Sequence, residues 1–98
     1  MSIDSSMDKV LERRQEVETQ LSRSAELSSK ELAGFSRELS ELRPVCEQIE
    51  LVRSLESELQ DAMTMIAEAA GDQEMQAMAE AEVAFLKDRI PGEKARLQ

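Results

Sequence analysis

Residues 41–59, ELRPVCEQIELVRSLESEL, decide the fold, because their apolar side chains repeat at helical spacing and then change phase. Upstream of Cys46 the apolar residues alternate between steps of three and four, whereas every step from Cys46 to Leu55 is three. Consecutive steps of three turn the apolar face around a helix, so a single partner helix cannot follow it. The stretch therefore predicts a central helix that packs first on the segment before it and then on the segment after it.

This central helix is predicted over about residues 29–70. Ser28 and Glu31 have the spacing of a capping box, in which each side chain bonds the other's backbone N–H. Gly71 predicts the end of the helix, and Asp72 is the expected N-cap of the next one. The apolar stripe between these signals comprises Leu32, Phe35, Leu39, Leu42, Cys46, Ile49, Val52, Leu55, Leu59, Ala62, Ile66 and Ala69.

Two shorter helices are predicted on either side, over about residues 4–24 and 73–97. Asp4, Ser5 and Ser6 are the candidate caps of the first. The stripe of the first helix is Ile3, Met7, Val10, Val17 and Leu21, and that of the third is Met75, Ala79, Val83, Leu86, Ile90 and Leu97. The fold class is all-α, an elongated antiparallel three-helix arrangement within a single domain, residues 1–98.

Two prolines lie inside these helices and leave alternatives open. Pro44 predicts either a kink in one long central helix or a junction between two helices, since proline cannot donate the helical hydrogen bond. Pro91 is expected to bend or end the third helix for the same reason.

Composition excludes most catalytic chemistry. The chain has no histidine, so Ser-His-acid and Cys-His arrangements cannot be built. Its three glycines stand apart, so no phosphate-binding loop is present. The single cysteine, Cys46, falls on the apolar stripe and is expected to be a buried structural thiol. We expect no enzyme activity, no cofactor and no metal site.

Charge is unevenly distributed along the chain. Residues 47–82 carry Arg53 alone against ten acidic residues, a balance of −9. Such a surface is unsuited to a phosphate backbone, so the domain alone is not expected to bind free nucleic acid. Its acidic side chains either form a solvated face or match a basic protein. No stretch is apolar enough to span a membrane, no signal peptide is evident, and a cytoplasmic location is expected.

Three smaller features have two interpretations each. Met63, Met65, Met75 and Met78 surround the predicted turn at Gly71, and they are interpreted as filling the end of the helical hairpin rather than as an adaptable surface. Gly34 either permits close approach of a neighbouring helix or is a tolerated surface glycine. Arg14 is placed to reach Glu18, one helical turn away.

Three segments of the chain resemble one known family. Residues 31–45, ELAGFSRELSELRPV, look like a segment of bacterial peptide chain release factor 1 that reads ALSKEYAELEPVV. Residues 72–82, DQEMQAMAEAE, are similar to the family's DPEMREMAEEEL, and residues 7–14, MDKVLERR, are similar to its KLEALLERYEEL. Order and spacing agree over residues 7–90. The chain therefore resembles the N-terminal helical domain of this family of class I release factors.

The resemblance implies an accessory role in translation termination. Such factors recognise stop codons on the ribosome and promote peptidyl-tRNA hydrolysis through a Gly-Gly-Gln loop, and neither that loop nor a codon-reading motif occurs here. In the family this domain lies near the stalk base of the large ribosomal subunit. Glu68, Asp72 and Glu74, at the end of the acidic hairpin, are the candidate contact residues for a basic ribosomal protein.

A second interpretation is a stand-alone helical coiled-coil adaptor or oligomerisation module. A parallel homodimer requires unbroken heptads, whereas the rotating stripe favours packing within one chain. The chain is therefore expected to be a monomer, and its sedimentation behaviour separates the two interpretations.

Overall fold

A computed structural model, which describes residues 2–98, shows an all-α chain. Helix α1 is Ile3–Ser22, α2 is Ser29–Glu68 and α3 is Gln73–Ala95, with a 3₁₀ turn at Ser24–Glu26 between α1 and α2. No strand occurs anywhere in residues 2–98. The predicted class, three helices with a long central one, is confirmed.

The predicted capping box at the start of α2 is confirmed. The Glu31 N–H donates to the Ser28 hydroxyl at 3.1 Å, and the Ser28 N–H donates to the Glu31 carboxylate at 3.1 Å. The bond from the Ser28 backbone, followed by that from its side chain, lowers the pKa of Glu31. Two N–H groups that the helix leaves unpaired are thereby satisfied.

The cap of α1 differs from the prediction. Ser2 caps this helix: its backbone is extended and its hydroxyl accepts from the Ser5 N–H at 3.2 Å. Asp4, Ser5 and Ser6 lie inside the first turns instead, so their selection as caps was wrong. Because Ile3 is already helical, the capping position falls one residue before it.

All three helices end two residues before the predicted positions. Past the ends of α1 and α3, a backbone N–H donates to the carbonyl three residues earlier, a pattern that tightens the last turn. After α2, a bond of the same kind closes the turn that leads to α3. These bonds are Arg23 to Gln20 at 3.0 Å, Asp72 to Ala69 at 2.9 Å, and Leu97 to Lys94 at 3.0 Å. Apolar residues of the predicted stripes lie past the ends of α2 and α3, at Ala69 and Leu97, which is why periodicity overestimates the length of these two helices.

Both prolines lie within continuous helices. Helix α2 runs through Pro44, so the alternative of two separate helices is wrong, and α3 continues past Pro91 to Ala95. Each proline costs its helix one backbone hydrogen bond. Buried residues follow closely in each case, Cys46 after Pro44 and Glu93 after Pro91, so packing maintains the helix beyond the missing bond.

The chain divides into two compact units within α2. The first unit ends at Glu47 and contains α1 with the first part of α2. Arg13 lies nine residues before the end of α1, and its ion-pair partner Glu38 lies nine residues after the start of α2, as antiparallel helices require. Met7, Val17 and Cys46 are buried in this unit.

The second unit, Gln48–Gln98, pairs the rest of α2 with α3. Gln48 lies 20 residues before the end of α2 and hydrogen-bonds to Glu93, 20 residues after the start of α3, so this pair is antiparallel too. Its core is Leu55, Leu86 and Ile90, against which Leu51 and Leu59 pack. The predicted change of partner along α2 is confirmed: α1 shares a unit with its first part and α3 with its second.

Candidate partner-binding surface

The turn between α2 and α3 is set by two adjacent residues. Gly71 has a backbone φ of +94°, a conformation that side chains disfavour and glycine adopts freely. Asp72 then caps α3, as predicted: its carboxylate accepts from the Met75 N–H at 3.1 Å. Gln76 joins the two helices, its side-chain amide donating to the Ile66 carbonyl at 3.4 Å.

The three candidate contact residues surround this turn. Glu68 is the last residue of α2, Asp72 is the N-cap of α3, and Glu74 lies in the first turn of α3. All three are exposed. They thus carry negative charge on one short, solvent-facing segment, although the carboxylate of Asp72 is already used in capping.

The two helix ends have opposite electrostatic effects on these carboxylates. The N-terminus of a helix favours negative charge, so Asp72 and Glu74 stabilise α3 where they stand. Glu68 lies at the C-terminus of α2, which favours cations, and the last turn of α2 contains no basic residue. Glu68 therefore gains no stabilisation from the helix end at which it lies.

The four methionines near the turn are solvent-exposed. Met63 and Met65 are each 44% exposed, Met75 is 46% exposed and Met78 is 74% exposed. Their expected role in filling the hairpin end, together with the place of Met75 on the buried stripe, was therefore wrong. The small residues Ala62, Ala69 and Ala79 are buried at this end instead.

An ion pair between α1 and α2 was not anticipated from the sequence. The Arg13 guanidinium holds both carboxylate oxygens of Glu38, through Nε and through an Nη at 2.7 Å, and it also contacts Glu16 at 3.1 Å. The hydrogen bond from Arg13 lowers the pKa of Glu38. The predicted pair of Arg14 with Glu18 is confirmed, at 3.4 Å.

Glu93 is the principal polar residue that the sequence analysis missed. It is buried, its backbone carbonyl accepts from the Gln48 amide at 3.0 Å, and its carboxylate lies 3.3 Å from Arg96 and 3.5 Å from Arg89. The signal was present in the sequence, because Glu93 falls seven residues after Leu86 on the apolar stripe of α3. Its ion pairs with Arg96 and Arg89 offset the free-energy cost of burying its charge.

The remaining candidates are structural. Cys46 is 1% exposed, as a buried structural thiol should be. Gly34 is exposed, and a Cβ placed on it would meet nothing within 4 Å, so the interpretation of close helix approach is wrong. Among residues 2–98 no group of three or more Cys, Asp or Glu side chains is arranged to hold a metal ion, and no helix in that range is long and apolar enough to cross a membrane.

These features define the class of the chain as an all-α domain with an acidic, exposed interhelical turn. Comparison with known sequences gives the family: the chain belongs to the PCRF domain family, whose sequence profile matches residues 10–98.

Curated relatives agree with this assignment. The chain is 35% identical to peptide chain release factor 1 of Ruegeria pomeroyi over 92 residues, 94% of this chain and 24% of that protein. It is 41% identical to peptide chain release factor 1 of Roseobacter denitrificans over 68 residues, 69% of this chain and 18% of that protein. Peptide chain release factor 1 of a Wolbachia strain from Culex pipiens is 31% identical over 100 residues, 100% of this chain and 27% of that protein.

The predicted resemblance to the helical domain of these release factors is thereby confirmed. The chain spans about a quarter or less of the length of these relatives. No solved structure matches it significantly.

Proposed function

We propose that this chain is the N-terminal accessory domain of a translation termination factor. The full-length protein would recognise stop codons on the ribosome and promote peptidyl-tRNA hydrolysis, and this domain would supply ribosome contacts rather than catalysis. Membership of the PCRF domain family and relatives named peptide chain release factor 1 support this proposal. Such a factor works in the cytoplasm, as a monomer, without a cofactor.

The exposed acidic turn is the proposed contact with the stalk base of the large ribosomal subunit. The observation that carries it is the position of Glu68, Asp72 and Glu74 on one exposed turn within a stretch whose balance is −9. Ribosomal proteins that fold against RNA are basic, and opposite charges steer such partners together and fix their orientation. The position of Glu68 at a helix end that disfavours it is explained by such a partner.

The test removes these three charges without removing the N-cap. The triple variant Glu68→Gln, Asp72→Asn and Glu74→Gln keeps an asparagine at the capping position, where it serves nearly as well as aspartate. Binding of the 98-residue chain to a reconstituted stalk base, a ribosomal RNA fragment with its bound protein, is measured by fluorescence anisotropy. If each exposed charge contributes about 0.5 kcal/mol, the dissociation constant rises about tenfold.

A second triple variant is the control for net charge. Glu47→Gln, Glu80→Gln and Asp88→Asn remove three other exposed acids and leave the turn intact. This variant should bind within about twofold of the wild-type chain. Equal losses in the two variants would show general electrostatics rather than a contact at the turn, and unchanged binding of the first variant would reject the contact.

A further inference from the structure

An open groove runs between α2 and α3 within the second unit. It encloses about 350 Å³. Ala62 and Ala79 form its floor, and both are buried. The side chains of Met65 and Met78 line the sides. The groove is open at this point because the buried lining residues are small, whereas larger side chains would fill the space.

The rim of this groove is acidic. Glu58 and Asp61 of α2 and Glu82 of α3 complete its lining, which contains no Lys or Arg. On α2, Glu58, Asp61 and Met65 are spaced three and then four residues apart and so share one face. Met78 and Glu82 share a face of α3 in the same way. We call these residues, with the alanines of the floor, the acidic groove.

The apolar surface continues beyond the acidic groove along α3. Phe85 lies seven residues after Met78, and therefore on the same face of the helix, and it is 57% exposed. Met78 is 74% exposed. Large apolar side chains aligned at helical spacing, beside an acidic rim, are the arrangement with which a groove receives an amphipathic helix.

We propose that the acidic groove binds a basic, amphipathic helix of another protein. Apolar side chains of the partner would lie between Met65 and Met78, and its Lys or Arg side chains would meet Glu58, Asp61 and Glu82. A helix fits better than a strand, because α2 and α3 present side-chain ridges and no unpaired backbone edge. Methionine suits such a site, since its flexible side chain adapts to the shape of the partner.

Charge selects this partner over the alternatives. Residues 47–82 have a balance of −9, which repels the phosphates of nucleic acid and the headgroups of an anionic membrane. A second copy of the chain has the same −9 overall and is repelled as well. A cationic helix is attracted, and its own apolar face remains available for the methionines.

This inference does not depend on the proposed ribosomal role. The residues of the acidic groove are distinct from Glu68, Asp72 and Glu74 at the turn. Loss of stalk-base binding in the turn variant and loss of peptide binding in groove variants are therefore separate results, and either proposal can fail alone.

The test uses a synthetic helix and a matched pair of methionines. The probe is a peptide of about 18 residues with leucines on one face and lysines on the other, long enough to become helical on binding. Its affinity for the 98-residue chain is measured by isothermal titration calorimetry. Met65→Gln removes a groove methionine, and Met63→Gln removes one that is outside the groove but equally exposed, at 44%.

We expect Met65→Gln and Met78→Gln each to weaken binding about tenfold, as loss of a central apolar contact does. Met63→Gln should leave binding within about twofold, as expected for a residue outside the contact. In methyl spectra of the chain, the peptide should shift the signals of Met65 and Met78. The signal of Met7, which is 2% exposed in the first unit, serves as the internal reference and should not move.

Several results would overturn the proposal. One is that Met65→Gln and Met63→Gln bind the peptide with equal affinity. Another is that a peptide of scrambled order, or one with glutamates in place of lysines, binds as tightly as the original peptide. A third is that the original peptide does not bind at all. Concentration-dependent shifts of the Met65 and Met78 signals without peptide would show that a second copy is the occupant. The methyl spectra also report whether each variant remains folded, so a loss of affinity is not confused with unfolding.

Discussion

Gly34 is a residue of low helix propensity inside α2. It lies in the sixth position of the helix, where glycine is less favourable than alanine by about 1 kcal/mol. A Cβ at this position would meet nothing within 4 Å. We therefore predict that Gly34→Ala raises the free energy of unfolding by about 0.5–1 kcal/mol, measured by urea denaturation followed by circular dichroism.

The same substitution at Gly71 is the matched control, and its effect should have the opposite sign. A Cβ there is equally free of contacts, but the backbone φ is +94°. Alanine in the left-handed region costs roughly 1–2 kcal/mol, so Gly71→Ala should lower the stability by about that amount. Destabilisation by Gly34→Ala would mean that something other than helix propensity selects glycine at position 34.

The Arg13–Glu38 ion pair predicts a specific dependence of stability on pH. Arg13 lowers the pKa of Glu38 in the folded chain, so between the folded and unfolded pKa values the unfolded chain binds more protons. The stabilisation is complete above the ordinary pKa of a glutamate and is lost as the pH falls through the lowered value. The stability difference between the wild-type chain and Glu38→Gln should therefore be largest at neutral pH and disappear on acidification.

Glu41→Gln is the control for this experiment. It removes an exposed carboxylate from the same helix and leaves the pair of Arg13 with Glu38 in place. On acidification, the free energy of unfolding of this variant should therefore fall by as much as that of the wild-type chain. A constant difference between the wild-type chain and Glu38→Gln at all pH values would show that the ion pair does not contribute to folding.

At the residue scale, the sequence predicted those side chains whose partners lie within one helical turn. The bonds of Ser28 with Glu31, Asp72 with Met75, and Arg14 with Glu18 are local, so spacing alone indicates them. The pairs of Arg13 with Glu38 and of Gln48 with Glu93 cross from one helix to another. Such pairs depend on the register between helices, which apolar periodicity leaves open.

At the scale of the helices, burial rather than side-chain size decides what α3 contributes to stability. Leu86 is 0% exposed and belongs to the core with Leu55 and Ile90, whereas its larger neighbour Phe85 is 57% exposed. We predict that Leu86→Ala lowers the free energy of unfolding by about 2–5 kcal/mol, the cost of a buried leucine together with the cavity it leaves. Chemical denaturation measures both variants.

Phe85→Ala should cost less than about 1 kcal/mol, although it removes more atoms. This contrast tests the stripe of α3 directly, because the two residues are adjacent in the chain and face different directions. An equal loss of stability in the two variants would mean that Phe85 is packed in solution, and the apolar surface beside the acidic groove would then be smaller than described.

Helix boundaries show where periodicity stops being informative. The starts of α2 and α3 agree with the prediction, since a capping box and an N-cap are chemical signals at defined positions. The ends do not; at α2 and α3 an apolar residue of the stripe, Ala69 or Leu97, lies past the last helical residue. The methionines at the turn illustrate the same limit: they match the apolar composition of a core, but Ala62, Ala69 and Ala79 occupy the buried positions.

For the molecule as a whole, one change of phase in α2 accounts for both units. The steps of three from Cys46 to Leu55 include the boundary between Glu47 and Gln48, where the first unit ends and the second begins. The buried residues Cys46, Ile49, Val52 and Leu55 follow that rotation without interruption. Each apolar face of α2 is thus satisfied by a helix of the same chain, α1 or α3.

Because helices of the same chain cover the apolar faces of α2, the last prediction is that the chain is a monomer. Stable dimers bury roughly 1,600 Å² in one complementary patch. In residues 2–98 the exposed large apolar side chains are instead divided between the two units. The first unit has Leu32 and Val45, and the second has the four methionines and Phe85. The net charge of −9 opposes association further. Sedimentation equilibrium should return the monomer mass of 11.0 kDa across the accessible concentration range. Twice that mass would indicate a dimer and favour an oligomerisation module. If Met78→Gln restored the monomer mass, the second copy would lie in the acidic groove.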